Sequence, residues 1–279
     1  MEPSGQQAKD TSKNANKPQS WRGDYISPSR LRLWLKCPAA YKKRYIDGIV
    51  TPTHPNLFLG KVVHAGLEHF YRHRVRSVTL FSRAVVEEIH RHWDRMAADE
   101  SMYFASREEE ETLKAQASAL VATYIDQLPN DEPLPIAVEA QFTAPLVDPG
   151  TGEDLGIPLL GIVDLVLPSP TGPVIIDFKT AARSSAKVDI LHELQLSSYS
   201  YLSRQLTGCK ESALEIRSLI KTKVAKIETH SYAPREDVHF DRLFAVVRAY
   251  LRAMDEQTTY IRPGFECSYC DFQETCLAA

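Results

Sequence analysis

The stretch Val174-Ile175-Ile176-Asp177-Phe178-Lys179-Thr180 decides how the rest of the chain is read. It is apolar and β-branched and follows the turn-forming Ser169-Pro170-Thr171-Gly172-Pro173, so it reads as a strand. Alternate strand residues share a face, which sends Ile175, Asp177 and Lys179 one way and Val174, Ile176 and Phe178 the other, into the core. An acid and a base two positions apart then project together, with α-carbons roughly 6.6 Å apart. An Asp177–Lys179 ion pair at a sheet edge would explain this tripeptide equally well on its own. The preceding strand repeats the theme, however: Leu160, Ile162, Asp164 and Val166 share one face, a carboxylate amid apolar neighbours. Burying a lone carboxylate costs several kcal/mol unless a cation or hydrogen-bond donors compensate it. Two of them on adjacent strands favour a divalent ion, and hard oxygen ligands favour Mg2+ or Mn2+.

Outward from this pair, residues 136–147 and 156–167 read as strands joined by a turn at Asp148-Pro149-Gly150-Thr151-Gly152. Residues 188–206 return to helical periodicity, two further strands fit 213–221 and 226–233, and a long helix fits 236–257. Upstream, a helix starts near Ser27-Pro28-Ser29, with Ser27 or Ser29 as N-cap, and is interrupted at Pro38. A second runs from about Leu57 to Arg76, and Leu80 to Gln127 reads as helical throughout. Its acidic run Glu108 to Glu111 reads as a solvated face. Residues 1–22 are polar and expected to be disordered. The expectation is an α/β (α+β) domain over 23–279, a central mixed sheet flanked by helices. It has an N-terminal helical region, a helical insertion at about 78–130 and a cysteine-bearing tail at 262–277.

The chain has 279 residues, 43% of them hydrophobic and 25% charged, with a formal net charge of −3. That is ample for a core and excludes a disulfide mini-protein, a collagen-like chain or a wholly disordered one. No apolar run is long enough for a bilayer-spanning helix, and the opening MEPSGQQAKD lacks the apolar segment of a secretory signal. A soluble cytoplasmic protein with no membrane partner is expected. The phosphate-loop pattern G-x4-G-K-[ST] is absent, so the chain is not itself a helicase motor.

Two further features lie outside the strands. Arg30, Arg32, Lys36, Lys42, Lys43 and Arg44 fall in a stretch without acids, interleaved with Trp34, Tyr41 and Tyr45. This suits contacts to a nucleic-acid backbone with stacking on single-stranded bases, though a solvated basic helix face would look the same. Cys267, Cys270 and Cys276 form C-x2-C-x5-C within the last thirteen residues, and Cys37 could add a fourth thiolate. Four thiolates suit tetrahedral Zn2+ or a [4Fe-4S] cluster, and spacing does not separate the two. Either would close a loop of more than two hundred residues and contribute to folding itself. Cys209 stands alone and reads as an inert thiol.

His64 within Gly60-Lys61-Val62-Val63-His64, Gly161-Ile162-Val163-Asp164, Asp177-x-Lys179, and Gln195/Tyr199 four apart on one helical face occur in an order that resembles the PD-(D/E)XK nuclease superfamily. More narrowly, the chain is similar to its RecB-like branch, whose opening helix Ser27-Pro28-Ser29-Arg30-Leu31 through Cys37-Pro38 also resembles. The likeness spans roughly residues 25 to 277 and implies a restriction-endonuclease-like core. It implies that Asp164, Asp177, the Phe178 backbone carbonyl and His64 bind a catalytic Mg2+ or Mn2+. Lys179 would orient or deprotonate the attacking water, and Gln195 and Tyr199 would position the scissile strand. Glu139 is a further candidate near the metal, for which a solvent-facing side chain is an equal expectation. The cysteine pattern resembles the iron–sulfur subset, AddB-type domains and CRISPR-adaptation exonucleases, and so implies a [4Fe-4S] cluster on Cys37, Cys267, Cys270 and Cys276. The implied activity is a metal-dependent deoxyribonuclease, an exonuclease on single-stranded DNA ends in repair, recombination, phage or CRISPR-related processing. A helicase or a CRISPR-adaptation protein would be its protein partner. The alternatives are a catalytically silent DNA-end-binding module of the same fold and a zinc-stapled RNA-binding protein. Neither accounts for the acid pair with its lysine.

Overall fold

The structure, a computed structural model, describes residues 21–184, 187, 190 and 192–277. Most of the polar N-terminal stretch, and residues 188, 189 and 191 at the start of the helix expected over 188–206, lie outside the described residues. Five strands form one mixed sheet in sequential order: β1 (Ala137–Val147), β2 (Asp154–Leu167), β3 (Val174–Ala181), β4 (Ala213–Ile220) and β5 (Lys226–Tyr232). All neighbours run antiparallel except β3 and β4, which are parallel. Parallel strands need a crossover, supplied here by helix α6 (Glu193–Thr207). At the β2–β3 turn, Gly172 has φ +133°, and a Cβ there would meet the Lys210 carbonyl at 2.3 Å, so only glycine fits.

Both faces of the sheet are covered. On one side lie α3 (Pro55–Val75), α4 (Ser82–Asp99) and α5 (Arg107–Asp126), which pack Phe58, Val63, Leu67, Trp93 and Leu120 against Leu165, Leu167, Ile176, Phe178 and Leu219. On the other, α6 sets Leu196 and Tyr199 on Val163, Ile175, Leu214 and Ile216. Beyond it, α7 (Asp237–Asp255) packs with α1 (Pro28–Lys36) and α2 (Pro38–Tyr41) in a third cluster. The Asp177 face of β3, read from sequence as distinct from the core face, is therefore buried too: Ile175 and Ile176 are equally inaccessible. No helix of the described residues is long and apolar enough to cross a membrane.

The single helical run expected over 80–127 is two helices. The chain turns after α4 at Ser101, with φ +48°, and Phe104 folds back onto Phe58 and Trp93 with ring centroids 5.9 and 6.1 Å away. Ser106 caps α5 by accepting from the Glu109 N–H at 3.1 Å. The acids Glu108, Glu109 and Glu110 in its first turn sit where the helix dipole favours negative charge. Part of that run is tied down, since Glu110 accepts the Trp93 indole N–H at 2.8 Å.

Candidate metal centre and cysteine cavity

The β2–β3 ladder is short. It pairs Leu167, Val166 and Leu165 with Val174, Ile175 and Ile176 and then stops. Extended by one residue, that register sets Asp164 opposite Asp177, so the strands part where the two acids stand. On the far edge of β2, the β1 register pairs Val138 with Leu165 and Ala140 with Val163, leaving Glu139 opposite Asp164. Glu139 has φ +44°, a left-handed conformation rare in a non-glycine strand residue and common where function imposes it. One row across three strands thus reads Glu139, Asp164, Asp177.

α3 brings His64 over this row. Pro55 at its first position and the His54 cap start the helix, and a stripe of Phe58, Leu59, Val62, Val63, Gly66, Leu67, Phe70 and Tyr71 buries it on the sheet. Gly60 lets it approach β3, since a Cβ there would lie 3.2 Å from Thr180 Oγ1. His64 Nε2 donates to the Phe178 carbonyl at 3.1 Å, and Nδ1 lies 3.5 Å from Glu139 Oε1 and 3.6 Å from Asp164 Oδ1. Burial alone would lower the His64 pKa. The carboxylates of Asp164 and Glu139 outweigh it and raise the imidazole to about 10. Among the described residues, His64, Glu139 and Asp164 are a group whose ligand atoms all lie within 4.8 Å of one another.

Asp177 faces this group from β3 and is 2% exposed. Gln195 Nε2 donates to its Oδ1 at 2.7 Å and to the Tyr199 hydroxyl at 2.9 Å. Its Oδ2 lies 2.6 Å from Lys179 Nζ, yet this buried oxygen accepts no directed hydrogen bond. Burial, with Asp164 adding to it, pushes the Asp177 carboxyl up to about 6 against the pull of Lys179. Burial likewise raises Glu139. Gly161 serves packing: a Cβ there would strike Leu202 at 2.8 Å and Tyr199 at 3.2 Å, so it lets α6 carry Gln195 and Tyr199 onto β2. Tyr199 is 5% exposed, and its hydroxyl accepts from Gln195. The set of three carboxylates and an imidazole, oxygen and nitrogen donors without a thiolate, fits a hard divalent cation.

The four cysteines come together. Cys37 sits at the junction of α1 and α2, Cys267 on a 3-10 turn (Phe265–Tyr269) with Cys270 just after it, and Cys276 on α8 (Gln273–Leu277). All four are unpaired thiols lining one cavity of about 370 Å³ with Leu33, Ala40 and Phe272. The tail is pinned to the opening helices by the Ala39 N–H to the Tyr260 carbonyl, 3.1 Å, and by Arg262 donating to the Leu35 carbonyl. Cys209 is exposed and apart.

The basic segment is less available than its sequence implies. Arg30 is packed between the Tyr25 and Tyr45 rings, 4.0 and 4.9 Å from their centroids, and donates to the Tyr25 carbonyl at 2.8 Å, a structural role. Tyr41 is buried and Trp34 partly buried, each edge-on to the Tyr250 ring. Lys42 pairs with Asp47 at 2.6 Å and Arg44 with Asp271 at 3.9 Å, which leaves Arg32, Lys36 and Lys43 as the cations outside these pairs.

A row of acids with a lysine beside it on a mixed sheet is an arrangement suited to metal-assisted phosphodiester hydrolysis. A family model for the PD-(D/E)XK nuclease superfamily matches residues 25–277, and the chain belongs to that superfamily. Among solved structures it is similar to a "putative exonuclease" from Eubacterium rectale, at 16% identity and TM-score 0.59, covering 92% of this chain and 90% of that one. It also matches the protein SSO0001 at 16% identity and TM-score 0.43, covering 91% and 86%. No curated protein matches the chain.

Proposed function

We propose that this chain is a Mg2+- or Mn2+-dependent DNA nuclease that digests single-stranded DNA from its ends. The observation that carries the reading is the row Glu139–Asp164–Asp177 with His64 above it, next to Lys179. His64, Glu139 and Asp164 would hold the cation, with Asp177 and the Phe178 carbonyl completing its shell. When bound, such an ion makes water more acidic and offsets the charge that builds on a phosphoryl group under attack. The protein's own residues do the rest. Lys179, part-exposed beside Asp177, orients the attacking water through its ammonium. Gln195, held by Tyr199, fixes the Asp177 carboxylate in one orientation. Glu139 replaces the solvent-facing side chain of the sequence expectation as a working ligand.

The four cysteines, gathered around one cavity, would hold a [4Fe-4S] cluster, with tetrahedral Zn2+ as the alternative. Its role is structural, joining the tail to α1 and α2.

The deciding experiment is digestion of end-labelled single- and double-stranded DNA with Mn2+ by wild type and Asp177→Ala. Metal-dependent loss of end label by wild type and none by the variant is expected; equal digestion by both overturns the site. Anaerobic purification tests the cysteines: broad visible absorption with iron supports the cluster, and a colourless zinc protein rejects it.

A further inference from the structure

Three aromatic side chains of the tail stand in solvent. Tyr260 is 57% exposed, Phe265 77% and Tyr269 74%, and the Phe265 and Tyr269 rings lie 5.5 Å apart. None belongs to a hydrophobic cluster of the fold. The surrounding charge indicates what would cover them. Arg262, Lys36 and Lys43 line the same cavity as Tyr269. Arg32, Lys36 and Arg262 line a second hollow beside it. Arg32 and Lys36 are four apart and share one face of α1. Leu31 and Leu33 of α1 pack in one cluster with Leu194, the residue before Gln195, which places α1 beside the end of α6 that reaches Asp177. Positive charge therefore runs from the candidate site along α1 to the exposed rings. Of the acids in the tail here, Asp271 is paired with Arg44 and Glu266 lies back over Gly264.

We infer that Phe265 and Tyr269 form a base-stacking platform for a single DNA strand whose backbone follows Arg262, Lys36 and Arg32 toward Lys179. The inference rests on the nuclease reading and specifies the form of its substrate. Base faces are free to stack on protein rings only when unpaired, and cations along the path meet the phosphates. A duplex offers phosphates but no open base faces, so this surface selects single strands. It also moves the stacking role to the tail from Tyr41, which is buried, and Trp34, which packs edge-on against Tyr250.

The test is binding of a labelled thymidine oligonucleotide to the full chain in buffer free of Mg2+, Mn2+ and chelator, so that cleavage plays no part and the tail keeps any metal on its cysteines. Phe265→Ala/Tyr269→Ala removes two exposed rings and should weaken binding by about tenfold or more. An oligonucleotide with abasic sites keeps its phosphates; wild type should lose the same factor on it, and the double variant should bind both strands alike. Lys36→Gln should lower the salt slope by about 0.7. Equal binding by wild type and the double variant overturns the platform. If wild type shows the ring-dependent binding but leaves DNA intact with Mn2+, the platform stands and the nuclease reading falls.

Discussion

The main-chain N–H of Phe178 donates to Asp164 Oδ2 at 2.6 Å, a side chain standing where the next rung of the β2–β3 ladder would be. The carbonyl of the same residue accepts from His64. Two backbone groups freed by the parting of the strands are thus satisfied by the residues that would bind the ion, and this sets their orientation. Asp164→Asn keeps the volume, weakens that bond and removes a charge. It should cost about 1–3 kcal/mol in urea unfolding. Mn2+, which should raise the thermal midpoint of wild type, should no longer do so in the variant.

Glu139 offers a separation of stability from function. Its left-handed backbone costs a side-chain-bearing residue on the order of 1–3 kcal/mol, which glycine avoids. Glu139→Gly should leave the unfolding midpoint unchanged or higher while abolishing digestion and the Mn2+ shift. A glycine variant that digests DNA like wild type would remove Glu139 from the site.

Gln195 acts through Asp177, and Tyr199 acts through Gln195. Gln195→Ala should lower kcat by about 10- to 100-fold. Tyr199→Phe should lower it by less, because the Asp177 bond survives. A larger loss in Tyr199→Phe than in Gln195→Ala would reverse this order of dependence.

Behind Phe178, Arg217 pairs with Glu132 at 2.7 Å and donates to the Tyr124 hydroxyl at 2.7 Å, with the Glu132 side chain only 4% exposed. Arg217→Met leaves Glu132 with a reduced set of cations in a buried place and should destabilise the fold by about 3–5 kcal/mol in urea. Arg217→Met/Glu132→Gln should recover part of that loss.

Glu211 gives the pH dependence a sign. It is 1% exposed. Burial would raise its pKa, but donors on Arg204, the Arg235 N–H and Ser200 hold it below the ordinary glutamate value. A depressed carboxylate adds stability above its unfolded pKa that is lost as pH falls through the folded one. Unfolding free energy should therefore decline below about pH 4.5. Glu211→Gln should be less stable at neutral pH and decline less steeply in acid.

Much of this arrangement is written in hairpin arithmetic. Counting equal distances from the Pro170-Thr171 turn sets Asp164 opposite Asp177; in the β1–β2 hairpin a register shift between Pro145 and Val147 intervenes, and Glu139 falls opposite Asp164 only because of it. The strands and their acids were legible because period-two patterning and turn residues are local. The place of Glu139 opposite Asp164 is hidden because it depends on that register shift, which period-two patterning does not specify. The break at Ser101 was hidden because the helical pattern resumes with little offset after it. The fate of Trp34 is hidden because its partner Tyr250, on α7, is more than two hundred residues away; that of Arg30 is hidden because its place between the Tyr25 and Tyr45 rings follows from packing and not from pattern. Composition shows a basic, aromatic segment; only packing distinguishes rings turned inward from rings left out.

The Phe178 ring lies between those of Tyr71 and Tyr124, with centroids 6.1 and 5.3 Å away, while its peptide grips Asp164 and His64. A residue whose side chain performs no chemistry thereby links the interior to the reaction centre as one lever. Trimming the ring, as in Phe178→Leu, would let the peptide rock and loosen ion capture without altering any ligand. Tolerance at this position is set by geometry transmitted through the backbone, so a substitution harmless to folding can still silence the site.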